Sequence, residues 1–385
     1  MKPLHFIALI AAMSLTAATC KNSTTNPVGG RICKGDSCLT LEKFSQNLQA
    51  ELDGRVVKYA FVLRHGLAST SHAAGKRRTA SDPPEQDFTI DHRYNPASVT
   101  KVITAVALLQ LIEKNNLSIQ DKIWTYLPKH WIIPNSIKEI SFRQLLRHTA
   151  GIRFDPGNTL ADIRTSIEHG VNLSDTATGC DGSAEICYKN INYAICRVLI
   201  AYLDVYRPST IPFNNGIEEL IISKRFIDYM QKNIFDKLNI SSVTCTPPAN
   251  GGTLFYPFPA GSFHGTDFGD WALSGGPAGI QLSTNELSTF LLQLRISTIL
   301  LSKNMLQIMD DNSFGWDVPP AGSPWNVDGD ECNSKGGWFP GDATHAQLNS
   351  CIMDFKNGLQ ITLVSNGMAD IFGAISNAYK KSWTK

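Results

Sequence analysis

Several large classes of protein leave marks that this sequence lacks. No Cys-x-x-Cys and no His-Glu-x-x-His occurs, so no zinc ligand set is spelled out. No Gly-x-Ser-x-Gly elbow and no nucleotide-binding glycine fingerprint is present. That removes the main support for an α/β-hydrolase or a Rossmann fold. Net charge is nearly absent: 35 Lys+Arg stand against 34 Asp+Glu. This gives no electrostatic footprint for nucleic acid. With 43% hydrophobic residues, the chain is also far from the composition of disorder. After the N-terminus no apolar run is long enough to cross a bilayer as a helix; the nearest, 97–112, is interrupted by Lys101. No repeat at a fixed period is visible. The 385 residues suffice for one large domain or two smaller ones. No cofactor, metal or nucleic-acid partner is expected.

The first twenty residues read as an address. Lys2 precedes an apolar run from Phe6 to Ala12, and small residues follow up to Cys20. The pattern predicts a signal peptide over 1–19, ending in lipidation of Cys20 and membrane anchoring, with plain cleavage near Ala18 as the alternative. Either way the protein is exported, to the periplasm, a membrane anchor or the medium. Of nine cysteines, eight remain without Cys20, an even number that an oxidising compartment can pair. Cys33 with Cys38 and Cys180 with Cys187 would close small loops. Cys332 and Cys351, similarly far from a turn near Gly341, are a candidate pair across a hairpin.

Residues 20–38 read as a tether, and 39–385 as one domain. Leu39 to Leu52 predicts a helix; Val56–Leu63 and Leu67–Ala74 predict strands around an Arg64-His65-Gly66 turn. Ala346–Phe355 and Leu359–Val364 predict a late hairpin turning at Lys356-Asn357-Gly358. A closing helix follows from Ala369 to Trp383. The middle, roughly 115–310, is mainly helical. This order predicts an α+β fold, with an antiparallel sheet formed by both chain ends, flanking helices and an inserted helical subdomain.

The informative segment is Asn95-Pro96-Ala97-Ser98-Val99-Thr100-Lys101, followed by apolar residues through Ile112. A helix apolar nearly all round is buried. A lysine buried with it loses hydration, which favours the neutral amine. Spacing of three places Ser98 and Lys101 on one helical face. A neutral amine beside a serine hydroxyl is the arrangement that general-base activation of a nucleophile requires. The bland alternative is a lysine snorkelling to the surface, and Ser382-Trp383-Thr384-Lys385 shows that Ser-x-x-Lys also arises by chance. From this segment alone the two readings stand about even.

Ser98-Val99-Thr100-Lys101 ahead of an apolar helix resembles the first motif of serine β-lactamases and penicillin-binding proteins. Tyr188-Lys189-Asn190 resembles the second and Lys335-Gly336-Gly337 the third, in the family's chain order. Other Ser-x-Asn strings, at Ser45, Ser283 and Ser302, fit less well; Ser283 with Glu286 reads as a helix capping box. The stretches Leu145–Ile152, Gly275-Gly276 with Ser283–Leu287, and Phe314-Gly315-Trp316 resemble the family's intervening tracts. The resemblance spans about 40–385 and implies a β-lactamase/transpeptidase-like fold. Tyr188 in the second motif points to the branch of class C β-lactamases, D-alanyl-D-alanine carboxypeptidases and esterases.

Carried over, the resemblance implies that Ser98 attacks a carbonyl and becomes acylated. Lys101 and Tyr188 would share proton transfer, Asn190 would orient the lysine and touch substrate, and Lys335 would supply positive field. The backbone N–H groups of Ser98 and Trp338 would form the oxyanion hole. His148 would be structural. One departure stands out: the family's peptidases and lactamases carry Thr or Ser in the middle of the third motif, helping to hold a substrate carboxylate. Gly336 has no hydroxyl, and Trp338 is bulky and apolar. The expectation is therefore an esterase-like serine hydrolase acting through an acyl-enzyme on a neutral ester or amide. The alternatives are a D-Ala-D-Ala carboxypeptidase or β-lactamase acting on peptidoglycan or β-lactams, and a non-catalytic binding module. The partner would be a small molecule or a peptidoglycan-derived substrate.

Overall fold

Near-continuous apolar runs in the central strands of both chain ends give those strands two faces to cover. The computed structural model describes residues 30–171, 186–204, 215–248, 252–319, 324–367 and 370–385. Its strands are β1 (Arg31–Lys34), β2 (Ser37–Thr40), β3 (Lys58–His65), β4 (Ala68–Arg78), β5 (Gln86–Asp87), β6 (Asn326–Val327), β7 (Asp330–Phe339), β8 (Leu348–Phe355), β9 (Leu359–Asn366) and β10 (Trp383–Thr384). The helices of eight or more residues are α1 (Leu41–Leu52), α2 (Thr100–Lys114), α3 (Leu160–His169), α4 (Asn190–Leu203), α5 (Asn215–Met230), α6 (Thr284–Ile296), α7 (Lys303–Asp311) and α8 (Ile371–Lys381).

The main sheet runs β5-β4-β3-β9-β8-β7-β6, antiparallel throughout. The two chain ends meet at β3 and β9, from Lys58 opposite Asn366 to His65 opposite Leu359. Side chains sort by parity. Tyr59, Phe61 and Leu63 of β3 join Ile361 and Leu363 of β9 in a core closed by α1 and α8. Ala60 and Val364 face the opposite core, built with α2, α4 and the other helices of the chain's middle. The α+β architecture expected from the sequence is thus the one observed.

Helix α2 is buried except at Gln110, Glu113 and Lys114, and Lys101 is fully buried within it. Gly315 explains why Phe314-Gly315-Trp316 packs against this helix: its φ is +80°, and a Cβ there would lie 2.8 Å from Val102 Cα. Ser283 and Glu286 form the capping box that opens α6.

The structure corrects two expectations. Residues 31–38 belong not to a tether but to a hairpin. β1 pairs with β2, β2 pairs with β10, and a Cys33–Cys38 disulfide closes the turn. Cys332 and Cys351 are both free. Cys332 stands opposite Phe355, and Cys351 stands opposite Gly336. The β7–β8 turn is centred beyond Gly341, so the cysteines are four positions out of register. At roughly 3.3 Å per residue that displacement far exceeds disulfide reach. Cys187 is disulfide-bonded. The expected partner, Cys180, lies outside the described residues, as do the predicted signal peptide and Cys20.

Candidate active site

The turn before α2 is over-determined. Tyr94 exchanges backbone hydrogen bonds with Leu282, at 3.1 and 3.0 Å. The buried Asn95 side chain accepts from the N–H groups of Ala97 and Gly279, each at 3.0 Å. These contacts hold Ala97 at φ +50°, a left-handed conformation that costs a residue with a Cβ. Ser98 follows in a short 3-10 turn (Ala97–Val99) that leads into α2. One turn along, Lys101 Nζ lies 2.9 Å from Ser98 Oγ.

The surroundings of Lys101 decide what that contact means. Nζ also bonds Asn190 Oδ1 at 2.8 Å and Pro277 O at 3.0 Å. Those two partners only accept, whereas a serine hydroxyl can donate. As an ammonium, Lys101 donates one N–H to each of the three; once a proton is lost, two N–H groups still serve the carbonyl oxygens and the lone pair is left for the hydroxyl proton. Burial lowers the lysine's pKa and the nearby Lys335 ammonium lowers it further, although Tyr188 opposes them.

Lys335 sits on β7, facing the helical half, and is 2% exposed. Its Nζ lies 2.6 Å from Asp317 Oδ1 and 3.2 Å from the Tyr188 hydroxyl. Burial opposes the charge on Lys335, but the Asp317 carboxylate outweighs it and Tyr188 adds to the effect. The ammonium is therefore held above the ordinary lysine value. Tyr188 is 43% exposed. Both lysine ammoniums lie against the ring, Lys335 at 4.6 Å and Lys101 at 4.9 Å from its centre. Burial of the hydroxyl end would raise this phenol; the two cations overcome that and bring it down to about 8. Asn190 opens α4, where its N–H donates to Asp155 Oδ2 at 3.0 Å.

The open edge of β7 completes the site. Cys332 N–H donates to Trp325 O, Ser334 O accepts from Asp317 N–H, and Gly336 N–H donates to Asp317 Oδ2 at 2.7 Å. Even-numbered residues therefore turn their peptide groups outward, and the same alternation turns the Trp338 N–H to that edge. Gly337 lets the strand approach the nucleophile turn. A Cβ there would stand 2.2 Å from Pro96 O and 3.2 Å from Ser98 N. Ser350 Oγ ties the two together by donating to Pro96 O at 2.7 Å. Every site residue expected from the sequence is thus near one point, where Ser98, Lys101, Tyr188, Asn190, Lys335 and the β7 edge converge.

A beta-lactamase family model matches residues 45–381. The chain belongs to the beta-lactamase family. As a member of it, the protein is a serine hydrolase. Among solved structures the chain is similar to D-amino acid amidase from Ochrobactrum anthropi SV3, at 16% identity and TM-score 0.64 over 88% of this chain and 98% of that one. It is likewise similar to a beta-lactamase/D-alanine carboxypeptidase from Pseudomonas syringae, at 14% identity and TM-score 0.64 over 89% and 97%. At such identities the likeness is one of fold. A stretch of 122 residues is 28% identical to a probable fimbrial assembly protein FimD, serogroup H1, of Dichelobacter nodosus, covering 30% of this chain and 30% of that protein.

Several residues of this beta-lactamase-family site escape sequence reasoning. Asp317, Asn95, Asp155, the Pro277 carbonyl and Ser350 come from separate segments and meet only in the fold. Asp317 had a signal, since it directly follows the Phe314-Gly315-Trp316 tract. His148 is buried, with its ring 4.3 Å from that of Tyr188 and 5.1 Å from that of Tyr193. Burial and the two lysines push its pKa well below the ordinary histidine value. It supports Tyr188 as a neutral packing group.

Proposed function

We propose that Ser98 is acylated by a neutral ester or amide and that water then releases the acyl group, an esterase-like activity. The Lys101 geometry carries this reading: two pure acceptors and one hydroxyl surround a desolvated amine. In the first half-reaction Ser98 Oγ bonds the carbonyl carbon as its proton passes to Lys101 Nζ. Tyr188 then gives a proton to the leaving oxygen or nitrogen as the C–O or C–N bond breaks. Lys335, held charged by Asp317, keeps the phenol acidic enough for that exchange at neutral pH. The N–H groups of Ser98 and Trp338 receive the oxyanion. In the second half-reaction water takes the leaving group's place and the proton transfers reverse.

Gly336 supports a neutral substrate, because it offers no hydroxyl to a carboxylate. The peptidase and lactamase reading keeps the support of the fold neighbours, one of which is named a beta-lactamase/D-alanine carboxypeptidase. Export is part of the proposal, with membrane anchoring through Cys20; the disulfides at Cys33–Cys38 and Cys187 support an oxidising compartment. Labelling with a fluorescent fluorophosphonate and a fluorescent penicillin, on wild type and Ser98→Ala, tests the reading. Fluorophosphonate labelling of wild type that disappears in Ser98→Ala is expected, with weak penicillin labelling. Strong penicillin labelling would favour the peptidase reading, and no labelling of folded protein the non-catalytic one.

A further inference from the structure

The open edge of β7 carries an aromatic corner that the mechanism above leaves unused. Gly336 and Trp338 share the face of β7 that looks toward α8. Phe372, in the first turn of α8, reaches over Gly336. A Cβ at 336 would sit 3.3 Å from both Cε2 and Cζ of its ring. A side chain at 336 would press on the Phe372 ring and require it to give by a few tenths of an ångström, and the glycine and the ring fit each other. Trp325 lies on the same edge, its carbonyl accepting from Cys332 N–H and its indole N–H donating to Asp317 O at 2.9 Å. Trp338 is 59% exposed, and Phe372 and Trp325 are each 40% exposed. Exposed aromatics grouped beside a reactive centre mark a binding surface more often than isolated ones do.

The charges of this corner are already committed. Lys335 is bound by Asp317, which also accepts from Gly336 N–H. The N-terminus of α8 is filled by its own cap: the Asp370 carboxylate accepts from Gly373 N–H at 2.7 Å. No basic residue stands in the first turn of that helix. An anionic group placed here would meet two carboxylates and aromatic faces.

Chemistry fixes which part of the substrate comes here. The leaving group departs beside its proton donor, and the Tyr188 hydroxyl is linked through Lys335 and Asp317 to Gly336. We propose that Phe372, with Trp338 and Trp325, is a specificity-determining wall that receives an uncharged, apolar leaving group and rejects one bearing a carboxylate. The inference rests on the acyl-enzyme reading above and adds the class of leaving group. In the step concerned, the ester C–O bond breaks, Ser98 Oγ keeps the acyl group, and the departing alkoxide takes a proton from Tyr188.

The test compares kcat/KM for acetyl esters sharing one acyl group: benzyl acetate, methyl acetate and O-acetylmandelate, which is the benzyl ester with a carboxylate on the carbon beside the leaving oxygen. Wild type is expected to favour benzyl acetate over each of the others by about tenfold or more. In Phe372→Ala the benzyl-over-methyl ratio should fall about tenfold, and in Phe372→Leu it should fall less. Thermal unfolding of both variants shows whether they are folded. The Leu variant keeps the test open if the Ala variant is not. An unchanged ratio in a folded variant, or wild type turning over O-acetylmandelate as fast as benzyl acetate, overturns the wall while leaving the acyl-enzyme reading intact. Fluorophosphonate labelling of wild-type Ser98, read alongside, separates the two: its absence overturns both.

Discussion

The site holds two lysines, each deeply buried and each against the ring of Tyr188, and their hold on the proton is shifted in opposite directions. Lys101 meets a hydroxyl and two carbonyl oxygens; Lys335 meets a carboxylate. The first is pushed below the ordinary lysine value and the second above it. Burial alone does not make a base. Its neighbours decide whether a buried amine gives up its proton or keeps it. One fold thereby supplies a proton acceptor and a fixed cation within one cluster, and the phenol between them is tuned by both.

Removing the base breaks this contrast most severely. Lys101→Met should lower kcat/KM by about a thousandfold, the range for loss of a positioned acid–base group, measured with benzyl acetate on protein shown to be folded. The contrast also needs the two lysines brought together, which Gly337 permits. Gly337→Ala places a methyl group against Pro96 O and should displace the Trp338 N–H from the oxyanion position. A loss of about a hundredfold in kcat is expected, typical of a missing oxyanion donor.

Smaller changes sharpen the comparison. Lys335→Met removes one of the cations that hold Tyr188 near 8. The phenol should then ionise at higher pH, which moves the falling limb of kcat/KM up; Lys101, relieved of the same cation, should hold its proton to higher pH, which moves the rising limb up and lowers activity at pH 7 about tenfold. A pH profile of both proteins checks this; an unmoved falling limb would detach Lys335 from the phenol. The stability profiles should diverge as well. Lys335 has a raised folded-state pKa. Its contribution is complete below the unfolded value, about 10.4, and is lost as pH rises through the folded value. Lys101 has a lowered folded-state pKa, so its burial destabilises most at pH below that value, and the penalty shrinks as pH climbs toward about 10.4. Urea unfolding of Lys101→Met should show a gain over wild type that narrows between neutral pH and pH 10. Lys335→Met should show a deficit that stays level there. The opposite signs of the two differences are the readout.

Much of this was legible in the sequence because the carriers are local. Ser98 and Lys101 are one helical turn apart, Tyr188 and Asn190 open one helix, and Lys335 to Gly337 lie on one strand. The sheet from both chain ends was legible too, since the short β-rich run over Val56–Leu63 and the turn at Lys356-Asn357-Gly358 ahead of Leu359–Val364 leave few other uses for those residues. What stayed hidden depends on contacts between distant segments. Asp317 determines the charge of Lys335 from eighteen positions away. Pro277 contributes only a backbone carbonyl, which side-chain chemistry does not advertise. Phe372 reaches Gly336 from the closing helix. The Cys332–Cys351 pairing failed because equal distance from a glycine does not locate a turn. Hydrogen-bond register places it.

The central claim is that the pKa values of two buried lysines of one site are shifted in opposite directions. It is tested most directly by NMR titration of the lysine side chains in protein labelled with 13C at the ε position. Lys101→Met and Lys335→Met assign the two resonances. The Lys101 signal should titrate below the surface lysines and the Lys335 signal above them. Co-titration of both with the surface lysines, or the reverse order, would contradict the account.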